Sequence, residues 1–234
     1  VTGVGPEAVA DTASGNVNAS IKANNASSTG VLANDDANAN FDSESLAVTN
    51  VSSNSTGNSG SATQGVLGTY GTLTVAADGT YTYTANTAAA EALDAGDSET
   101  DVFTYTVKDD DDVNSSTATL TITVNGVDDN PVGNNDAGAI NEDKTLTVSA
   151  GSGVLSNDTD ADASSSLTVS AIGGGGTVGQ AHNGTYGVLT LNSDGSYTYV
   201  ANGRSEDGLA ADATATDTFT YTVSAVSYTH LRAH

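Results

Sequence analysis

Residues Gly68–Tyr83 read GTYGTLTVAADGTYTY, and residues Gly184–Tyr199 read GTYGVLTLNSDGSYTY. These two segments are identical at 11 of 16 positions and lie 116 residues apart. At the same offset, TDVFTYTV (Thr100–Val107) matches TDTFTYTV (Thr216–Val223) at 7 of 8 positions. An internal repeat of domain length predicts two tandem domains with the same fold.

Within each copy the apolar residues alternate with threonine. Leu73 and Val75 follow this pattern, and so do Tyr81 and Tyr83. Strict alternation with β-branched and aromatic residues indicates strands with one face buried and one face in water. The Asp78-Gly79 and Asp194-Gly195 pairs lie between such runs and supply the positive φ of a hairpin turn. The sequence therefore predicts an all-β protein of two tandem antiparallel β-sandwiches.

The repeat also sets the expected domain boundaries. We assign residues 1–126 to the first module, 127–130 to an acidic linker and 131–224 to the second module. Residues 225–234 resemble a translated sequencing adapter, so we expect a non-native tail there. Because no counterpart of Ala118–Val124 follows in the second copy, we expect that module to lack its last strand and to be less stable.

Two further segments carry local expectations. Asn50–Gly65 is rich in serine, asparagine and glycine, and we interpret it as a loop that is longer in the first copy. Ala88–Leu93 is the one segment with a helical appearance. The sequence has no Met, and we expect an internal fragment of a longer protein.

The composition is strongly acidic. There are 29 Asp and Glu against 5 Lys and Arg, which gives a formal net charge of −24. Binding to phosphates needs clustered basic side chains, so we expect no nucleic-acid partner. No apolar run approaches the roughly 20 residues of a membrane span, so we expect no membrane insertion. Without Cys there is no disulfide, and a bound metal ion is the remaining common means of stabilising a thin core.

The acids concentrate in segments that should be loops at the ends of the sandwiches. Carboxylates about 5 Å apart repel by roughly 1–3 kcal/mol, so clusters with few cations nearby favour a bound counterion. Calcium fits, because it takes six to eight hard oxygen ligands, whereas zinc or copper would call for His or Cys. The candidate ligands are Asp35, Asp109, Asp111, Asp128, Asp129, Asn130, Glu142, Asp158, Asp160 and Asp162.

A simpler interpretation is that these acids are solvated and keep the protein soluble. For Asp109–Asp112 the two interpretations stand level. The group Asp128, Asp129 and Asn130 favours calcium because it lies between the copies. The alternation of Asp158, Asp160 and Asp162 favours calcium as well, although this run lacks the Gly and Glu of an EF-hand loop. Glu142 is the weakest candidate and fits an exposed acid.

Nothing in the sequence indicates an enzyme. His182 is the only histidine before the tail, and we interpret it as a surface residue rather than a catalytic base. Paired carboxylates could hydrolyse glycosides, but these acids lie in repeated loops without the aromatic residues that line a sugar cleft. We therefore expect no catalytic residues.

In sequence order, GTYGTLTVAADGTYTY, FTYTV, TATLTITVNGVDDNP and GVLSNDTDAD resemble VCBS-type repeats, the cadherin-like and immunoglobulin-like modules of large bacterial RTX-type adhesins. The resemblance covers the chain to about Ala225. It implies arrays of sandwiches, export to the cell surface, roles in adhesion and biofilms, and Ca²⁺ near the junctions. Asp128, Asp129 and Asn130 resemble the acidic linker, and Asp158 and Asp160 resemble an Asp-x-Asp ligand pair.

The chain departs from the family at the first junction. Val17 stands where Glu142 stands in the second copy, and the two linker acids are missing before Pro6. We therefore expect calcium to bind poorly there. The expected function is that of a structural spacer of a secreted surface protein, made rigid by Ca²⁺, with neighbouring repeats as partners. The alternative is a module of a secreted protein or extracellular hydrolase that binds surface glycans or host or biofilm proteins.

Overall fold

The computed structural model describes residues 5–24, 29–37, 45–110, 115–202 and 213–226. The chain divides into two compact units, Val1–Asp128 and Asp129–His234, called unit 1 and unit 2 below. Strands dominate both units, so the prediction of an all-β protein with tandem sandwich modules is confirmed.

Unit 1 consists of two sheets packed around one core. One sheet has the strand order β1-β9-β8-β3-β4, and the other has the order β2-β7-β6-β5. All pairs are antiparallel except β1 and β9, which run parallel. The strands are β1 (Asp11–Asn16), β2 (Ser20–Ala23), β3 (Ala47–Ser53), β4 (Ser59–Ser61), β5 (Gly65–Leu67), β6 (Gly71–Val75), β7 (Tyr81–Ala85), β8 (Ser98–Lys108) and β9 (Ser115–Asn125).

The core of unit 1 follows from the alternation in the sequence. From Asp101 in β8 and from Ala118 in β9 onward, every second residue is buried. The threonines between them lie partly exposed. Phe103 and Ile122 are fully buried, and Phe103 lies edge-on to the ring of Tyr83 at 6.1 Å. Burial of this kind is the main stabilising contribution to the fold.

The predicted hairpin turn connects β6 and β7. Gly79 has φ of +83°, and a side chain there would clash with Leu32. Oδ1 of Asp78 accepts hydrogen bonds from the amide and hydroxyl of Thr80, at 3.0 and 2.7 Å. Gly195 has the same conformation in unit 2, with φ of +81°. The Asp-Gly prediction is confirmed in both copies.

The predicted loop at Asn50–Gly65 is wrong for much of its length. Its first residues belong to β3, and Ser59–Ser61 form β4. A register shift between Val48 and Asn50 breaks the alternation there, so that Val48 and Val51 are both buried. Pairing with β8 has overridden the polar composition.

The predicted helical turn is present but shorter than expected. Helix α1 covers Ala88–Glu91, and the hydroxyl of Thr87 accepts a hydrogen bond from the amide of Ala90. This N-cap supplies one of the partners that a short helix lacks at its start.

Unit 2 has six strands among its described residues. One sheet has the order β10-β14-β13-β12, and β11 pairs with β15. Strand β15 continues through Val226, so two residues of the expected tail lie in this sheet. The strands are β10 (Thr145–Val148), β11 (Ser166–Ile172), β12 (Ala181–Asn183), β13 (Val188–Leu191), β14 (Tyr197–Val200) and β15 (Tyr221–Val226).

The core of unit 2 is less closed than that of unit 1. No described residue forms a counterpart of β9 in unit 2. Tyr83 and Phe103 are 0% exposed, whereas their counterparts Tyr199 and Phe219 lie only partly buried. The ring pair itself is kept, with Tyr199 and Phe219 at 6.3 Å. In the described part of unit 2 the same pair of rings is therefore less deeply buried than in unit 1.

This difference predicts unequal costs for one substitution made in each unit. Phe103→Ala should destabilise unit 1 by about 3–5 kcal/mol, because it empties a closed core site. Phe219→Ala should cost unit 2 clearly less, because that ring is already partly hydrated. Hydrogen exchange of each unit in the intact chain, followed through a urea series, measures both effects. Equal losses would contradict the weaker packing of unit 2.

Candidate functional site

The candidate ligands of unit 1 lie at opposite ends of its sheet. In the antiparallel pair of β8 and β9, Lys108 lies opposite Ser115, and Ser98 lies opposite Asn125. Ten residue steps of about 3.4 Å separate these two ends by about 34 Å. Asp109 follows the first end and Asp128 follows the other, so these two acids cannot share one ion.

Asp109 is buried, although it belongs to a predicted loop cluster. Its side chain is 8% exposed, and its Oδ1 has no hydrogen-bond partner in the described part of unit 1. Asp110 is exposed, and the candidate Asp111 lies outside the described residues. Of the two described members of this cluster, Asp109 is the one whose carboxylate is placed away from water.

Asp35 belongs to a buried network around one tyrosine. The hydroxyl of Tyr105 lies 2.8 Å from Oδ2 of Asp11 and 3.3 and 3.4 Å from the two carboxylate oxygens of Asp35. It also lies 2.9 and 3.0 Å from the carbonyl oxygens of Val9 and Val31. One hydroxyl proton faces five acceptors, so negative charge is concentrated here.

The crowding changes how the carboxyls of unit 1 titrate. Burial, together with the charge of Asp35, raises the pKa of Asp11 from 3.8 to about 6, against the hydrogen bond from Tyr105. Burial also raises the pKa of Asp35, although the amide of Val9 donates to its Oδ1 at 2.7 Å. The carboxylate oxygens of Asp35 therefore already accept hydrogen bonds within unit 1.

The same network recurs in unit 2. The hydroxyl of Tyr221 lies 2.8 Å from Oδ2 of Asp136 and 3.4 Å from Oδ2 of Asp158. It also lies 3.2 and 3.0 Å from the carbonyl oxygens of Asn134 and Val154. The amide of Asn134 donates to Oδ1 of Asp158 at 2.6 Å. Asp158, a predicted ligand, is thus a buried structural acceptor, in the same role as the half-buried Asp35 of unit 1.

Three other predicted ligands come together at the start of unit 2. The amide of Asp129 donates to Oδ2 of Asp162 at 2.8 Å, and the amide of Asp162 donates to Oδ1 of Asp160 at 2.9 Å. The hydroxyl of Ser165 donates to the same Oδ1 at 2.9 Å. Oδ2 of Asp160 is shielded from water and accepts no hydrogen bond from the described residues. We call Asp129, Asp160 and Asp162 the acidic cluster.

The remaining candidates lie on the surface. Asp128, Asn130 and Glu142 are exposed. Within the residues that the structure describes, no group of three or more His, Cys, Asp or Glu side chains is arranged to hold a metal ion. Calcium therefore stays a prediction, and the acidic cluster is the place where the candidate ligands come closest to one another.

The sequence reasoning missed the aspartate that connects the two sheets of unit 1. Asp101 in β8 is 0% exposed. It accepts hydrogen bonds from the amides of Thr69, Tyr70 and Gly71 at 2.7 to 3.2 Å, and from the hydroxyl of Tyr83 at 2.7 Å. Four donors compensate for burying the charge. We call this arrangement the aspartate tie.

Unit 2 contains the same tie. Asp217 accepts from the amides of Thr185, Tyr186 and Gly187 at 2.8 to 3.0 Å, and from the hydroxyl of Tyr199 at 2.7 Å. Burial works to raise the pKa of Asp217, but these hydrogen bonds outweigh it and lower the pKa. A signal was present in the sequence, because Asp101 and Asp217 precede FTYTV at the parity of its buried residues.

Acids at the far end of unit 1 were also missed. Asp94 is 4% exposed, and the amide of Gly126 donates to the carbonyl oxygen of Asp97 at 3.0 Å. Both acids therefore lie where β9 leads into the linker at Asp128. Their counterparts in the second copy are alanines, Ala210 and Ala213, so a search for repeated acids passes over them.

The family follows from the sequence match. The model of the bacterial cadherin-like domain matches residues 4–126 and again residues 128–229. The chain therefore belongs to the bacterial cadherin-like domain family and carries two tandem copies. The cadherin-like part of the expected resemblance is confirmed, while the assignment to VCBS-type repeats of RTX adhesins stays a prediction. No curated protein matches the chain.

Solved structures resemble the chain only distantly. Drosophila N-cadherin EC1-4 is 13% identical with a TM-score of 0.39, over 95% of this chain and 48% of that one. An endo-fucoidan hydrolase of glycoside hydrolase family 107 is 14% identical with a TM-score of 0.26, over 95% of this chain and 27% of that one. The chain thus spans less than half of either protein, and neither likeness carries a functional argument.

Across the described ranges, the helices are all too short or too polar to cross a bilayer.

The aspartate tie predicts a large loss of stability on a nearly isosteric change. Asp101→Asn should destabilise unit 1 by about 3 kcal/mol, because an amide N–H₂ then faces buried donors. Tyr83→Phe, which removes one hydroxyl, should cost about 1 kcal/mol. Urea unfolding of the intact chain, read by hydrogen exchange in unit 1, measures both. An Asp101→Asn chain as stable as the parent would show that the tie contributes little.

The Tyr105 network predicts an inverted pH dependence. Because the pKa of Asp11 is about 6 folded and 3.8 unfolded, the folded state takes up a proton between these values. Unit 1 should therefore gain stability as the pH falls from about 7 to about 4 in chelator. Asp11→Asn should flatten this profile, whereas Asp78→Asn should leave it unchanged above about pH 5, because hydrogen bonds with Thr80 lower the pKa of Asp78. A profile of unit 1 that is the same with and without Asp11 would contradict the assignment.

Proposed function

We propose that this chain is a structural spacer of a secreted bacterial surface protein, and that Ca²⁺ at the junction between its cadherin-like modules stiffens it. Membership of the bacterial cadherin-like family supports the spacer part, since two copies follow one another directly. The family also supports a location outside the cell. The calcium part rests on the acidic cluster.

The observation that carries the calcium proposal is the unsatisfied carboxylate oxygen of Asp160. A carboxylate oxygen without a hydrogen bond and without water is costly unless a positive charge lies near it. The backbone amide that reaches Asp160 comes from Asp162, which itself brings a further negative charge. A divalent cation would satisfy both carboxylates at once.

The chemistry of the donors selects the ion. The cluster offers carboxylate oxygens, and Asn130 adds an amide oxygen in the same stretch of chain. These are hard ligands of the kind that Ca²⁺ binds with flexible geometry. Because the described side chains form no ready-made metal group, the ion would have to draw its ligands together on binding.

Acids precede the linker as well as follow it. Asp94 and Asp97 lie at the end of unit 1 from which the linker leaves, and Asp128 follows directly. In this proposal, an ion that takes ligands from Asp128 and from the acidic cluster stiffens the short linker. Asp35 and Asp158 are less suited to this role, because structural hydrogen bonds occupy both carboxylates.

The magnitude is large enough to matter. With a dissociation constant near 10⁻⁴ M and calcium near 10 mM, one site contributes about 2.7 kcal/mol. This is a large fraction of the stability of a marginal domain. Cytosolic calcium is too low to fill such a site, so ordering of the junction would follow export.

Calcium titration of the intact chain tests the proposal. We expect heat on binding, a rise in melting temperature and a longer, stiffer particle in small-angle scattering when millimolar Ca²⁺ replaces chelator. Asp160→Asn together with Asp162→Asn should weaken binding about tenfold or more, because two charged ligands are lost. Asp194→Asn, in an exposed turn of the same unit, is the matched control and should bind normally.

Three results would count against the calcium joint. They are no heat and no thermal shift up to millimolar Ca²⁺, equal binding by the cluster variant and the parent, and a particle length that does not change. Mg²⁺ at the same concentration separates a calcium site from general screening of the acidic surface.

A further inference from the structure

In the described part of unit 1, no strand places an acidic side chain on its outward side. The sheet β1-β9-β8-β3-β4 contains three acids among its strand residues, and all three share the parity of the buried positions. Asp101 forms the aspartate tie, Asp11 belongs to the Tyr105 network, and Glu99 has the same parity as Asp101. The chain has a formal net charge of −24, yet its acids leave the outside of this sheet free.

Hydroxyl groups cover the outside of this sheet instead. Strand pairing places Thr119, Thr104 and Ser52 side by side on β9, β8 and β3. We call the outward positions of β8 and β9, with their neighbours on β1 and β3, the hydroxyl face. On β8 and β9 these positions are every second residue of Ser98–Lys108 and of Ser115–Asn125, and most are threonine. Among these described positions the one charged residue is Lys108, at the end of β8.

The hydroxyl face is large enough for a specific interface. With about 3.4 Å per residue along a strand and about 4.8 Å between strands, the five strands of this sheet present about 600 Å². The outward side of β2-β7-β6-β5 covers less than half of this area, because its strands are only three to five residues long. Two hydroxyl faces in contact bury about 1,200 Å² in total, which is the lower end of the range for specific interfaces.

The chemistry of the hydroxyl face favours a second copy of this chain as its partner. A hydroxyl group donates one hydrogen bond and accepts two, so two identical hydroxyl faces can satisfy each other about a two-fold axis. Carboxylates only accept hydrogen bonds, and they repel one another. The described strands place no aromatic ring on this face, where a sugar could stack, and no basic cluster for an anionic partner.

We propose that unit 1 associates side by side with unit 1 of a second chain, hydroxyl face against hydroxyl face. Two twisted sheets that pack in this way lie about 10 Å apart with their strands about 30° from parallel. The threonine methyl groups lose water at the contact, and the acidic loops stay outside it. The contact needs no metal ion and no residue of the acidic cluster, so it is independent of the calcium joint.

Salt dependence distinguishes this contact from one that charges hold together. Both copies carry the same formal net charge of −24, so their repulsion opposes association and salt screens that repulsion. Sedimentation velocity of the intact chain in chelator measures the association constant over a concentration series. We expect this constant to rise severalfold between about 0.05 and about 0.5 M NaCl.

Charged substitutions on β9 locate the contact, and they are compared at the high-salt end of the series. Thr119→Glu with Thr121→Glu places like charges on both copies and should lower the association constant about tenfold or more. Thr119→Lys with Thr121→Lys should lower it as well, because like charges of either sign meet across a two-fold axis. Thr72→Glu with Thr74→Glu, at outward positions of β6 in the other sheet, is the matched control and should associate like the parent.

A cross-linking experiment checks the same contact without added charge. The chain has no cysteine, so one introduced thiol reports which face meets the second copy. With a short bismaleimide, Thr121→Cys on the hydroxyl face should give cross-linked dimers faster than Thr74→Cys on the other sheet. Hydrogen exchange of unit 1 verifies that every variant is folded.

Four results would overturn the proposal. The first is a chain that stays monomeric across the whole salt and concentration series. The second is association that both β9 variants leave unchanged, which would place the contact elsewhere. The third is an equal loss in the β6 control and the β9 variants, which would be an effect of net charge alone. The fourth is stronger association of the lysine variant than of the parent, because the hydroxyl face would then meet an acidic surface.

Discussion

The two sheets of each module are held together by an aspartate that accepts four hydrogen bonds. Asp101 lies on β8 of one sheet, and its donors are the turn before β6 and the hydroxyl of Tyr83 on β7 of the other sheet. Hydrogen bonds to a buried charge are directional, so they fix the relative position of the sheets where apolar contacts alone would tolerate sliding. The amides of the repeated segment GTYG form this cradle in both units, and a side chain at Gly71 or Gly187 would clash with the tyrosine that completes it.

A second tyrosine in each unit lies in a hydrogen-bond network with a different balance of donors and acceptors. At Tyr105 one hydroxyl serves two carboxylates and two carbonyl groups, so the site has more acceptors than donors. At Asp101 donors are in excess instead. Four donors compensate for the burial of Asp101. Asp11 shares a single hydroxyl donor with Asp35, and burial raises the pKa of Asp11. Acidity in this protein is therefore partly structural and not only a property of its surface.

The sequence predicted the strands, the Asp-Gly turns and the tandem repeat, since each depends on local pattern. It did not predict that Asp101 and Asp109 are buried, although both share the parity of Phe103 in the same alternating run. An aspartate after a strand suggests a loop, and only the tertiary fold shows whether donors or solvent surround it. The strand pairing at Asn50–Ser53 was missed for a similar reason, because the bulge in β3 hides its alternation.

The grouping of the candidate ligands depends on register, which the sequence does not contain. From the sequence alone, Asp109 and Asp128 are both candidate calcium ligands in loops. The antiparallel pairing of β8 and β9 separates them by the length of the sheet. The same pairing makes β9 central to unit 1. Strand β9 contributes buried residues to the core of unit 1 and pairs with both β1 and β8. In this fold the central strand is the element on which the rest of the sheet depends.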